Sequence, residues 1–333
     1  MQLNFLFATK LHLSLKNLKF AFQNISKYKD FTMKILQMIF ALCLCVGFAF
    51  GDSKVQDLKT KKPLISVSIA PVSYFVQKIA QNSVDINLII PPNSDEHTMD
   101  FKPIVVADLQ KSAVYFTIGL EIEAILAQKF KGVKIVDISK GVAKINDSHK
   151  HSHEHHEHNH ESHESHAHSH ESHSRKDPHI WLDPILVKTI AKNIANILSE
   201  LYPQNAKFYA KNLANFEAEL DTLHTQISSI FSQSKGKKFI IYHPSLSYFA
   251  KRYNLTQIPV EILGKEPKAR DLQTIITRAK KEQIHTIFVQ KGFAQKSAKT
   301  LAKELGANVA QINHLSDEWD KEMLNIARQI AKQ

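Results

Sequence analysis

The chain has 333 residues, 43% of them hydrophobic, enough to bury a substantial core and, at roughly 100–200 residues per domain, to build about two domains. Its formal charge is +11, but six lysines against Asp30 in the first 51 residues account for +5, and the other cations lack the aromatic and basic clustering that stacks bases and tracks phosphates, which excludes a nucleic-acid binder. No Gly-rich phosphate loop, nucleophile elbow or paired acid and base is visible, so a non-enzymatic protein is expected.

In chain order, Lys34 precedes an apolar run from Ile35 to Phe50 that only Gln37 and Gly47 interrupt, and Ala49 and Gly51 stand at the small-residue spacing that a signal peptidase reads before Asp52. The run is shorter than the about 20 apolar residues of a membrane span. An exported protein is therefore expected, with a leader over 1–51 and Met33 as an alternative start. Both cysteines, Cys43 and Cys45, lie in that leader, so any metal site in the mature chain must be built from imidazole and carboxylate.

From 62 to 145 short β-rich runs alternate with helical patterns: strands at 64–69, 86–90, 114–117 and 133–138, helices at 72–80, 103–110 and 122–130. Such alternation predicts a mostly parallel sheet flanked by helices, with ligands at the carboxyl edge of its strands. Residues 146–176 are dominated by His, Glu and Ser, with 12 of the 19 histidines between His149 and His173 and almost nothing to bury, which predicts a disordered loop. Helical patterns follow at 184–199 and 204–231, broken at Pro203, within a linking segment over 177–236. A second α/β lobe over 237–333 is read as strands at 239–242, 257–262, 286–290 and 308–312 with helices at 245–252, 269–281, 294–305 and 319–330, Gly306 supplying a left-handed helix cap. The predicted fold class is α/β: two lobes, each a mostly parallel sheet flanked by helices, joined by a long helical backbone with a cleft between them.

Three histidines outside the tract share a local pattern. His97 sits in the loop after the second strand, His243 directly follows the strand at 239–242, and His179 lies just ahead of the long helix in Asp177-Pro178-His179-Ile180-Trp181-Leu182-Asp183-Pro184. Taken singly, a loop histidine is more often a hydrogen-bonded surface group than a ligand. Three imidazoles converging on one cleft would suit zinc, which needs only one more donor for four-coordination. Asp177 and Asp183 have two readings of equal weight: acceptors for the second ring N–H of a coordinating histidine, or caps of the following helix. The tract reads either as a loop that concentrates metal ions or as a tolerated linker. Its His156-Glu157-His158-Asn159-His160 matches a metalloprotease pattern by chance, since that chemistry requires a rigid helix. His224, His285 and His314 show no carboxylate or histidine at ligand spacing and read as structural, and Trp181 as a packing anchor between the lobes.

The segments Asp95-Glu96-His97 through Lys102-Pro103, Gly119-Leu120-Glu121, the Asp177 to Pro184 run, and His243-Pro244-Ser245 through Tyr248-Phe249-Ala250 resemble the signature segments of the zinc-uptake substrate-binding proteins of bacterial ABC importers. The order, the spacing and the His-rich insertion match, and the likeness runs from about Leu64 to the C-terminus. The resemblance implies that His97, His179 and His243 are metal ligands, and that histidine rather than glutamate at the third position favours zinc over manganese. Where many relatives carry a fourth, aspartate ligand this chain has Asn313, a poorer donor, so the reading favours Glu96, with Asn313 and a water as the alternatives. It further implies a periplasmic monomer that carries Zn2+ to a membrane permease of an ABC importer. The competing expectations are a surface adhesion protein on the same fold, a buffer for nickel or manganese, and a zinc hydrolase with Glu96 as its base.

Overall fold

The computed structural model describes residues 62–97, 102–146, 176–233, 236–262, 265–293 and 295–333. The segment read as a leader, with both cysteines, and the His-rich tract lie outside the described residues.

The first lobe runs β1 (Leu64–Val67), α1 (Ala70–Ala80), β2 (Asp85–Leu88), α2 (Pro103–Gln110), β3 (Val114–Thr117), α3 (Glu121–Lys129) and β4 (Ile135–Asp137). Helices α4 (Pro184–Leu201) and α5 (Ala206–Ile230) follow, and then the second lobe: β5 (Lys238–Ile241), α6 (Ser247–Arg252), β6 (Thr256–Pro259), α7 (Ala269–Lys281), β7 (Thr286–Gln290), α8 (Lys296–Leu305), β8 (Asn308–Ile312) and α9 (Trp319–Lys332). The two sheets have the same parallel order, β2-β1-β3-β4 and β6-β5-β7-β8. In each, the chain reverses its direction of travel between the two central strands, the point where open parallel sheets present loops to a ligand. The expected fold class is the observed one.

The local causes are legible. Asp183 caps α4 by accepting the N–H groups of Ile185 and Leu186, and Pro184 supplies a first helical residue whose missing N–H costs nothing. Pro203 opens a short 3-10 turn, Pro203–Asn205, that separates α4 from the 25-residue α5. Gly306 ends α8 at φ +63°. Alternation along β5 divides its side chains between two cores. Ile240 joins Ile258, Ile275, Ile287 and Val289 beneath α7 and α8. Phe239 and Ile241 face the other way, into a core continuous with α1, α4, α5, α9 and the whole first lobe. Trp181 and Trp319 are fully buried in that shared core. Among the described residues no helix is long and apolar enough to cross a membrane.

Candidate metal centre

The loops at the carboxyl edges of the two sheets meet at the seam between the lobes. Glu96 and His97 come from the loop after β2, His179 from the turn before α4, and His243 from the end of β5. One donor atom from each lies within 4.8 Å of the other three. The ring Nε2 of His243 is 3.3 Å from the Nε2 of both His97 and His179. Glu96 Oε1 is 3.3 Å from His179 Nε2 and 3.9 Å from His97 Nε2. Glu96, His179 and His243 are buried, whereas His97 is exposed and forms the rim.

The rings are held from behind. Asp177 Oδ1 accepts both the Nδ1–H of His179 at 2.8 Å and its backbone N–H at 2.9 Å. Glu261, at the end of β6, accepts the Nδ1–H of His243 at 2.7 Å. With Nδ1 committed to a carboxylate, each ring directs Nε2 at the common point. Gln290, fully buried on β7, bonds the His243 carbonyl at 2.5 Å and Ser245 Oγ at 2.8 Å, while Phe293 stacks on the His243 ring at 4.9 Å. Tyr248 bridges the lobes: its hydroxyl donates to the Asp177 carbonyl and accepts the Ile145 N–H.

Burial opposes charge at His179, but Asp177 and Glu96 outweigh it and push its pKa up to about 10. At His243 burial prevails, aided by the neighbouring His179 charge, and the pKa falls to about 4. Glu96 is penalised by burial yet held well below the ordinary carboxylate range by His314 and His179. The resting cluster therefore keeps His179 charged, His243 neutral and Glu96 ionised at neutral pH.

Several sequence readings resolve here. The two aspartates of the Asp177 to Pro184 run divide the roles between them: Asp177 orients His179, whereas Asp183 caps α4 and pairs with Arg252 at 2.9 Å. Asn313 donates to Asn93 Oδ1 at 3.3 Å. His224 is half-buried against the Tyr253 hydroxyl, and His285 is exposed. The reading of His314 as lacking a carboxylate neighbour is corrected: its Nε2 lies 2.8 and 2.9 Å from the two oxygens of Glu96. Glu261, the acceptor for His243, is a support that sequence reasoning misses. Neither partnership has a local signal, because the groups are 218 and 18 residues apart and meet only through the sheet topology.

Two parallel α/β lobes, joined by long helices and closing on a knot of imidazole and carboxylate groups, define a two-lobed solute-binding protein with a seam suited to a metal cation. The chain belongs to the family described as zinc-uptake complex component A, periplasmic (ZnuA), whose model matches residues 65–332. The high-affinity zinc uptake system protein ZnuA of Bacillus subtilis (strain 168) is 31% identical over 297 residues, covering 85% of this chain and 90% of that protein. The zinc-binding protein AdcA of Streptococcus pyogenes serotype M3 is also 31% identical, over 87% of this chain but only 57% of its own length, so the chain spans little more than half of AdcA. A crystal structure of ZnuA superimposes with a TM-score of 0.72 at 34% identity, over 81% of this chain and 98% of that one. The family is one of solute-binding transport proteins rather than enzymes.

Proposed function

We propose that the protein captures one Zn2+ ion through His97 Nε2, His179 Nε2, His243 Nε2 and Glu96 Oε1 and delivers it to the permease of an ABC importer. The observation that carries this reading is the spacing of the donors. A tetrahedron with zinc–nitrogen bonds of about 2.0–2.1 Å has edges of about 3.3–3.4 Å. Three of the donor separations are 3.3 Å and a fourth is 3.9 Å. Three imidazoles with one carboxylate suit zinc better than the oxygen-rich sites of magnesium, calcium or manganese. The carboxylate leaves a bound dication with a net charge of +1, a smaller burial penalty than three neutral ligands alone would leave.

High-affinity zinc binding for import follows from family membership together with this donor set. Export by the leader over 1–51, a periplasmic location and action as a monomer complete the proposal; the apolar run after Lys34 supports the first two. The tract between His149 and His173, with 12 histidines, adds weaker imidazole ligands that raise the local concentration of the cation.

The test is competition between the full chain and a chromogenic chelator strong enough to strip the tract, which isolates the tightest site. One equivalent of tight zinc is expected, lost when His97, His179 and His243 are all changed to Ala. Tight binding that survives the triple substitution would move the site elsewhere and sink the proposal.

A further inference from the structure

His314 follows β8, is 1% exposed, and turns its Nε2 to both oxygens of Glu96, at 2.8 and 2.9 Å. Its backbone is fixed on each side. Its carbonyl accepts the indole N–H of Trp181 at 2.9 Å, the Trp181 carbonyl accepts that of Trp319 at 2.9 Å, and the preceding N–H, of Asn313, donates to Glu322 at 2.8 Å. These contacts fix the backbone from which the imidazole projects, and the ring itself is buried against Glu96.

The two oxygens of Glu96 are not equivalent. His314 Nε2 reaches both, 2.8 Å from Oε1 and 2.9 Å from Oε2, but Oε1 alone also faces the ring nitrogens of His179 and His97, so among the described residues His314 is the one partner of Oε2. A carboxylate that binds zinc through one oxygen needs a donor on the other to stop it rotating into a different coordination mode. Imidazole is suited to that role, because its N–H donates without the permanent charge that a lysine or arginine would set against the cation. His314 Nδ1 is buried without a hydrogen-bond partner, a cost that an apolar residue of similar size would avoid. A ring retained merely to fill space gives no reason for that cost, whereas a ring retained for its Nε2 contact does.

We infer that His314 is the positioning residue of the cation site: its Nε2–H, shared here between both oxygens of Glu96, keeps Oε2 when Oε1 turns to the cation as the fourth donor. The inference rests on the reading of Glu96, His97, His179 and His243 as the zinc ligands. It places one determinant of that ligand set on the second lobe, 218 residues from the glutamate it orients. The carboxylate is thereby gripped from across the seam, although its own loop belongs to the first lobe.

The experiment uses the full chain and four variants: Glu96→Gln, His314→Leu, His314→Gln, and the double variant Glu96→Gln with His314→Leu. Zinc affinity is read by chelator competition, and the donor set by the visible absorption of bound Co2+. Loss of such a supporting partner weakens metal affinity about 10–100-fold. His314→Leu is expected to lose affinity in that range and to give the Co2+ spectrum of Glu96→Gln. The double variant should bind no more weakly than Glu96→Gln alone. His314→Gln, whose amide N–H can reach the same oxygen, should recover most of the affinity and the parental spectrum. If His314→Leu does not fold, His314→Asn, whose amide is too short to reach, takes its place in every comparison. A parental Co2+ spectrum in the apolar or short variant, or a loss that adds to that of Glu96→Gln, would overturn the positioning role while leaving the four-donor reading intact. If Glu96→Gln itself changes neither affinity nor spectrum, both fall together.

Discussion

Gly292→Ala separates the role of lobe contact at the site from ordinary backbone strain. Gly292 follows β7 with φ +88°, and a Cβ placed there would lie 2.5 Å from the Ser94 carbonyl carbon, 2.7 Å from its oxygen and 2.8 Å from the Asn93 oxygen. The obstacle is backbone, so no side chain can rotate away. The loop carrying Glu96 and His97 would have to retreat by about 0.9 Å to restore the 3.4 Å at which ordinary contact begins. Displacements of that size exceed the few tenths of an ångström by which zinc bonds vary, so affinity should fall about 10–100-fold, or about 1.4–2.8 kcal/mol. The positive φ adds about 1–2 kcal/mol of strain that acts on folding rather than on binding. Gly306→Ala isolates this second effect, because Gly306 has φ +63° and open space where its Cβ would go. Chelator competition and urea denaturation on both variants distinguish the two effects: each should lose stability, and only Gly292→Ala should lose affinity. Parental zinc affinity in a folded Gly292→Ala would refute the claim that this approach sets the position of the first-lobe donors.

The raised pKa of His179, about 10, means that zinc displaces a proton from it at neutral pH, whereas His243, near 4, and ionised Glu96 yield none. His179 thus makes affinity climb about tenfold per pH unit until the pH reaches its own pKa and then level off; a flat profile in chelator competition across neutral pH would contradict this. Glu261→Ala removes the acceptor that fixes the His243 tautomer and should weaken zinc about 10–100-fold with the fold intact by circular dichroism, whereas an unchanged affinity would show that Phe293 and Gln290 suffice to hold the ring. Free zinc at about 100 times its Kd should add about 2.7 kcal/mol of stability, a rise of roughly 5–10 °C in Tm by calorimetry; the absence of a rise would place the cation outside the folded seam.

Elements whose cause is local could be read directly from the chain. Helices α2 and α7 and strands β3, β7 and β8 lie where hydrophobic period and punctuation by Pro and Gly put them, because each is specified by residues within one or two turns. Ends shifted where packing rather than pattern decides. The run expected to stay extended through Ile69 stops at Val67, because α1 begins at Ala70 with Pro71 in its first turn. At the site, residues carried by a short motif were visible, and their supports were not. Asp177 stands two positions from His179 and could be weighed from sequence, whereas His314 on Glu96 and Glu261 on His243 required knowing that the sheets are ordered β2-β1-β3-β4 and β6-β5-β7-β8. Pairings of that kind are products of topology, and no window of one sequence contains them.

The core that runs from β1 through α4 and α5 into one face of the second sheet has a consequence for how the molecule comes apart. Neither half can be peeled off as a self-sufficient folding unit: cutting the chain in the turn at Pro203–Asn205 would leave two fragments, each with a raw apolar wall. Denaturation of residues 62–333 should accordingly be one cooperative event, in which the cation pocket is lost at the same moment as the spine that spans it.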